Sequence, residues 1–342
     1  CGFVKIRWFD PVFAQESLTV VPVSQASANQ RAGRAGRVMP GKAYRLYTEE
    51  SFNKLEPKPR PEIQRSDLAA VVLQLKVLHV NDVVHFEYMS PPPSKSMARA
   101  LETLITLGAI DAKNGQLTSS GVIMAEFPAT APVARMLMAS SELGVAEEVL
   151  SIAAMLSVQD PFVSASGKQK TIDSARRCFA VTEGDHIALL NIYTSFVKQN
   201  RSSKWCAQFM LNHRTLERAV QVRAQLKAFM ARAGLSVSTT VDAEALVPCI
   251  QKSVMMGFFA SVAQLQSDST YRSLSGNVEL HIHPNSSLFK GRLPELVVYS
   301  ELIHTSKAFI NHCTPIAHDL LMEVAGEFYG LKKKIDADEL IK

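Results

Sequence analysis

Gln30-Arg31-Ala32-Gly33-Arg34-Ala35-Gly36-Arg37 sets three arginines at three-residue intervals, with a glutamine in front and glycines between. On a helix, positions 30, 34 and 37 follow the i, i+4, i+7 rule, so one amide and two guanidinium groups share a face. Such a face suits a polyphosphate, because a guanidinium fork donates two parallel hydrogen bonds to phosphate oxygens and stays charged throughout. Gly33 and Gly36 remove side chains between the arginines, letting a ligand or a second backbone approach. Each costs a helix about 1 kcal/mol relative to alanine, which implies a packing or functional reason. A solvated basic helix face is the plainer reading of such a run. The two glycines and the leading glutamine argue against it.

Other clusters carry weaker chemistry. Lys5 and Arg7 stand beside Trp8 and Phe9, a mixture suited to phosphate contact and to wedging against a base, or to the packing of an edge hairpin. Thr305, Ser306 and Lys307 bring hydroxyl and ammonium donors together, as phosphate oxygens need or as an exposed strand end tolerates. His281-Ile282-His283, with His304, His312 and His318 nearby, suggests a metal only superficially. No carboxylate or cysteine stands at ligand spacing, so no metal is expected. Asp185-His186 has the form of a catalytic pair, but on a helical bundle a structural hydrogen-bonding role is expected, and Trp205 and Cys206 are expected in a core.

The elements that must position these groups follow from local pattern. Val4 to Arg7 and Ser17 to Val23 read as strands joined across Asp10-Pro11. Ser24 to Arg34 reads as a helix capped by its serine, and Lys42 to Tyr47 as a short strand after the Pro40-Gly41 turn. Strand, helix, strand suggests the end of an α/β layer. Glu56-Pro57-Lys58-Pro59-Arg60-Pro61 disfavours regular structure and is the best linker candidate.

Beyond that stretch, Ser66 is expected to cap a helix with Leu68, Val71, Val72 and Leu75 on one face, and Ser94 to cap another with Met97, Leu101, Leu104 and Ile105. Turn-rich Asp111 to Gly115 and a small segment at Val122 to Phe127 complete a winged-helix composition. From Pro132 to about Gly234 an all-α bundle is expected. One helix, Ile250 to Ala260, then leads into short β-type runs near Tyr271, Val278 to Ile282, Leu296 to Tyr299 and His304 to Ile310, a small barrel. The predicted fold class is multidomain and mainly α with an α/β remnant. Its boundaries are 1–60, 61–131, 132–245 and 246–342.

Composition bounds the function class. A chain of 342 residues, 47% hydrophobic and 20% charged, has enough apolar content for several cores. No window approaches the roughly 18 uninterrupted apolar residues of a membrane span, so no membrane partner is expected. Five scattered cysteines without a CxxC pair argue against a disulfide framework and a zinc site and suggest a reducing compartment. Residues 1–65 hold 11 Lys and Arg against 6 Asp and Glu, while the remaining 277 hold 26 of each. The formal excess therefore surrounds the arginine run, where an anionic partner would be met.

Gln30 to Arg37 resembles motif VI of superfamily 2 helicases, with the pattern QRxGRxGR. The flanking Ser24-Gln25-Ala26-Ser27-Ala28-Asn29 and Gly41-Lys42-Ala43-Tyr44-Arg45-Leu46-Tyr47-Thr48 resemble the DEAH-box (DEAH/RHA) branch. The resemblance covers nearly the whole chain. Ile63-Gln64-Arg65-Ser66-Asp67-Leu68 and Met89-Ser90-Pro91-Pro92-Pro93 are similar to the family's winged helix. Asp185-His186 and Lys204-Trp205-Cys206 are similar to its ratchet-like bundle, and Ser300 to Lys307 to its OB-fold. Among relatives the segment looks most like the splicing-associated members.

The resemblance implies that residues 1–60 end a second RecA-like domain, that Gln30 and Arg34 meet nucleotide phosphates, and that Arg37 is the arginine finger on the γ-phosphate. Arg31 would instead make contacts within the protein. Lys5, Arg7, Thr305, Ser306 and Lys307 would lie along RNA. ATP and Mg2+ would be cofactors of a complete 3′ to 5′ RNA helicase acting on single-stranded RNA or an RNA duplex in the nucleus or also the cytoplasm, with the accessory domains enclosing the strand. No GxxxxGK[ST] loop and no DEAH tetrapeptide occur in these residues, so the segment alone is expected neither to bind ATP well nor to hydrolyse it. The alternative is a non-catalytic module that binds RNA or docks a G-patch activator or splicing factor.

Overall fold

The alternation of Phe3 to Asp10 closes into a two-stranded ribbon: β1 (Phe3–Asp10) pairs antiparallel with β2 (Gln15–Pro22), Phe3 opposite Pro22 and Asp10 opposite Gln15. The computed structural model describes residues 1–11, 15–164, 167–289, 291–304 and 307–330. It has two compact units. The first comprises Cys1–Leu68 and Asp82–Leu101, and the second the other described residues.

In the first unit, α1 (Gln25–Gly33) starts where Ser24 accepts the Ser27 amide, and it tightens into a 3-10 turn at Arg34–Gly36. The short helix α2 (Glu49–Asn53) is capped by Thr48. The strand expected over Lys42–Tyr47 is absent; that stretch is irregular, and among the described residues no ladder pairs with it. The α/β remnant is thus a hairpin and helix. The proline-rich stretch differs from expectation too, because it is tied down. The Glu56 and Pro57 carbonyls accept the Gln25 and Ala26 amides at 2.9 and 3.1 Å, satisfying donors that a helix start leaves open. A 3-10 turn at Glu62–Gln64 follows.

α3 (Ala69–Val77) begins the second unit, and α4 (Ser94–Thr106) runs across the division. α5 (Ser119–Glu126) is capped by Thr118, and the hairpin-like part between α4 and α5 is a single bridge, Ile110 to Leu117. The bundle comprises α6 (Ala131–Glu142), α7 (Ala146–Leu156), α8 (Gln169–Arg177), α9 (Asp185–Lys198), α10 (Ser203–Gln208), α11 (His213–Arg232) and α12 (Ala243–Phe258). Phe196, Leu216 and Cys206 are buried at its centre with Trp205 packed against them, so the tryptophan and cysteine are core. Glu147 on α7 holds Arg223 and Lys227 of α11, and those two cations keep its carboxyl below the usual range despite burial.

The barrel is closed in the order β3-β4-β5-β7-β6: β3 (Val262–Leu265), β4 (Tyr271–Ser273), β5 (Glu279–Ile282), β6 (Leu296–His304) and β7 (Ala308–Pro315). Tyr271, Leu280, Val297, Tyr299 and Ile310 fill its interior. β3 had no expected counterpart, and the run His304 to Ile310 is two strand ends rather than one strand. α13 (His318–Ala325) packs on α12 after the barrel. All five cysteines are free, and no single described helix is long and apolar enough to cross a membrane.

Bundle and barrel are joined by buried hydrogen bonds from the start of α9. The Asp185 carboxylate accepts the Ser287 amide and hydroxyl, both at 2.6 Å, and the Cys313 amide at 2.7 Å. His186 Nδ1 meets the Thr314 hydroxyl at 2.7 Å. Gly184 allows this approach: its φ is +104°, and a Cβ there would stand 2.6 Å from the Cys313 carbonyl oxygen. On the facing strand His312 takes φ +52°, interrupting the β6–β7 register beside the residues that Asp185 and His186 hold.

His186 is fully buried, and burial, with His312 adding to it, pushes its pKa down to about 3. The unfolded chain binds a proton near pH 6.5 while the folded chain does not until about pH 3. Stability is therefore full above pH 6.5 and falls as pH drops below it, by about 1.4 kcal/mol per pH unit. Denaturant unfolding at pH 7 and pH 5 should show the wild-type chain losing about 2 kcal/mol more than His186→Gln. Equal losses in the two proteins would contradict this account.

Candidate nucleotide-contact row and nucleic-acid interface

α1 is clamped on one side. Gln25 Nε2 donates to the Leu55 carbonyl at 3.1 Å and to those of Phe52 and Asn53 at 3.3 Å. Asn29 Oδ1 accepts from Arg45 at 2.6 Å, and the same guanidinium lies 4.1 Å over the Phe52 ring. Ala28 is buried, and Arg31 donates to the Phe3 carbonyl at 3.5 Å, tying the helix to β1. At about 100° per residue, positions 30 and 34 project roughly opposite Gln25 and Asn29.

That opposite side is free. Gln30, Arg34 and Arg37 are all exposed, and their side chains make no hydrogen bond or ion pair with any described residue. The 3-10 turn sharpens the alignment assumed for a plain helix. Three residues make one turn of 3-10 helix, so Arg34 and Arg37 eclipse one another. A Cβ at Gly33 or Gly36 would meet nothing within 4 Å, so no described atom requires either glycine. The structure thus separates the arginines of the run: Arg31 is engaged within the chain, while Arg34 and Arg37 are presented.

On β1, Lys5 and Arg7 point to the exposed side, as the alternation of a strand requires. The aromatic neighbours behave otherwise. Phe9 is buried and its amide donates to the Arg65 carbonyl at 2.7 Å, while Trp8 is half-buried with the Arg60 guanidinium 5.4 Å over its ring. Phe9 is therefore not a wedge, because burial removes it from any base. The exposed aromatic beside Lys5 is Phe3, with Val20 directly opposite Lys5. The i, i+2, i+4 relation of Phe3, Lys5 and Arg7 was the signal that finds it.

In the barrel, Thr305 and Ser306 lie outside the described residues. Lys307 is exposed and, with Phe289, Phe309 and His281, helps line a cleft of about 390 Å³. Two of the histidines have local partners. His281 Nε2 stands 3.3 Å from Glu279, and His283 Nδ1 accepts the Asn285 amide at 3.1 Å. Among the described residues no three His, Cys, Asp or Glu side chains converge as a metal would need. Asp185 and His186 are spent on the bundle–barrel joint, not on an exposed catalytic centre.

Comparison with known proteins follows the same domain order. The helicase-associated winged-helix family matches residues 100–129, the helicase-associated ratchet-like family residues 130–189, and the oligonucleotide/oligosaccharide-binding fold family residues 250–329. The chain is 47% identical over 331 residues to the Homo sapiens protein "Probable ATP-dependent RNA helicase DHX35". Over nearly its whole length the chain is thus similar to a protein named as an ATP-dependent RNA helicase. A Pongo abelii protein of the same name is 46% identical over 331 residues. These alignments take in 96% of this chain but 46% and 45% of the relatives, so the chain spans about half their length. Within the family frame, its winged-helix, ratchet-like and OB domains follow the hairpin and arginine run.

Proposed function

We propose that this segment completes the ATP site of a 3′ to 5′ RNA helicase and lines its RNA path. One observation carries the first part: Gln30 on α1 and Arg34 and Arg37 at the 3-10 turn after it are exposed, and their side chains have no hydrogen-bond or ion-pair partner among the described residues. ATP, held with Mg2+ in the complete protein, supplies the transferable γ-phosphoryl group. Toward it, Gln30 and Arg34 hold phosphate oxygens, and the Arg37 guanidinium balances charge that develops on the γ-phosphate in the transition state. The open space at Gly33 and Gly36 admits that approach. Turnover by Arg37→Ala in the complete protein separates this reading from a merely solvated basic face.

Lys5, Arg7 and Lys307 are exposed cations suited to phosphate contact along the strand. Thr305 and Ser306 belong to the same proposal by sequence alone. Resemblance to splicing-associated members supports nuclear action on spliceosomal RNA and partners such as a G-patch activator.

A second reading is favoured by the barrel cleft and Lys307, which require no nucleotide: the segment on its own is an RNA-binding module. Titration with single-stranded RNA at several salt concentrations tests it. Affinity should fall log-linearly with salt, with a slope of about −0.7 per phosphate contacted. A flat response would remove phosphate contacts from both readings.

A further inference from the structure

We propose that Arg45 is a positioning residue of the nucleotide site: acting through Asn29 and α1, it sets where the arginine finger stands without itself touching the nucleotide. This rests on the ATP-site reading and adds to it a residue that lies outside the arginine run.

Residues 41–45 meet the run at both ends. Gly41 stands against the 3-10 turn, where a Cβ would collide with the backbone carbonyl oxygen of Ala35, the residue after Arg34. Four positions on, Arg45 donates to Asn29 Oδ1 at 2.6 Å, and Asn29 immediately precedes Gln30. Among the described residues no ladder pairs with this stretch, so it holds the run by close packing and a side chain rather than through a sheet.

The guanidinium is itself held, 4.1 Å over the ring of Phe52 on α2. Gln25, one turn before Asn29 on the same side of α1, donates to the carbonyls of Phe52, Asn53 and Leu55. The helix is thus fastened toward α2 at two points one turn apart, which resist both rotation and tilt. With Gln25 alone, α1 pivots about its first turn, and the end that carries the arginines moves most. Arg34 lies about 13 Å along the axis from Gln25, so a tilt of about 5° displaces it by about 1 Å. Arg31 also ties this end, to the Phe3 carbonyl, but at 3.5 Å that bond is the weaker.

The fold itself depends little on the pair. Arg45 and Asn29 are both exposed, so separating them leaves no buried polar group unpaired. The effect belongs on the placement of the row, and phosphoryl transfer is sensitive to placement: a displacement of about 1 Å can cost about a hundredfold in rate.

The test is RNA-stimulated ATP turnover by the complete protein. Arg45→Ala should lower it about tenfold to a hundredfold, with the loss on kcat more than on KM and the denaturation midpoint unchanged. Asn29→Ala should do the same, and the double substitution should add nothing, because both residues act at one contact. In an Arg37→Ala background, Arg45→Ala should cost less than about twofold, since the finger it would misplace is gone; a role in folding alone would cost the same factor in both backgrounds. That equal loss would overturn the positioning role, as would full turnover by Arg45→Ala beside a crippled Arg37→Ala, and either result leaves the ATP-site reading standing. Near-normal turnover by Arg37→Ala overturns the ATP-site reading itself.

Discussion

Arg37→Ala in the complete protein should lower RNA-stimulated ATP turnover by about a thousandfold or more while leaving RNA affinity near the wild-type value. The magnitude follows from what an arginine finger does. It adds little to the ground state and acts on charge that develops during transfer, in a site where water screens poorly. The loss should therefore fall on kcat more than on KM. Arg37→Lys should not restore it, because an ammonium lacks the fixed two-donor fork. Folding should be unaffected, since the Arg37 side chain is exposed and bonds to no described residue. Steady-state turnover with equilibrium RNA binding on the same preparations decides the matter. Turnover within a few-fold of wild type would show Arg37 to be only a solvated cation.

Asp185→Ala should cost the folded segment about 4 kcal/mol and loosen the barrel from the bundle. Three hydrogen bonds end on this carboxylate, and its removal leaves the buried Cys313 amide and the half-buried Ser287 amide without their partner, at about 1–3 kcal/mol for a buried group left unsatisfied. Cys313 supplies a local readout. Its thiol is fully buried and held well above the usual range by burial and by the Asp185 charge, so it should resist alkylation in the wild type. In Asp185→Ala, labelling should accelerate under conditions where the bundle itself remains folded. An unchanged unfolding midpoint with Cys313 still protected would show that the joint does not depend on this residue.

The Asp185-His186 pair shows why a short motif underdetermines a role. An acid next to a histidine has the same appearance in sequence whether it moves protons or ties two domains. Its partners at Cys313 and Thr314 lie 128 residues away along the chain. The strand expected over 42–47 failed for a related reason: a strand exists only with a ladder beside it, and local alternation cannot say whether one is present.

What the amino-acid order determined by itself was whatever depends on neighbours a few residues apart. That includes the Ser24 cap, the existence of the hairpin, the helical faces of the bundle, and the spacing that aligns Gln30, Arg34 and Arg37. Chain geometry enforces such relations wherever the segment sits. Tertiary structure alone decided which polar groups were already spent. It engaged Arg31 with Phe3, buried Phe9, closed β3 against β6, and placed Phe289 and Lys307 at one cleft. Burial and partner choice depend on residues distant in the chain, so the arginine run was legible as a set. Its division into one structural and two presented guanidinium groups was implied by the resemblance alone, not by spacing within the run.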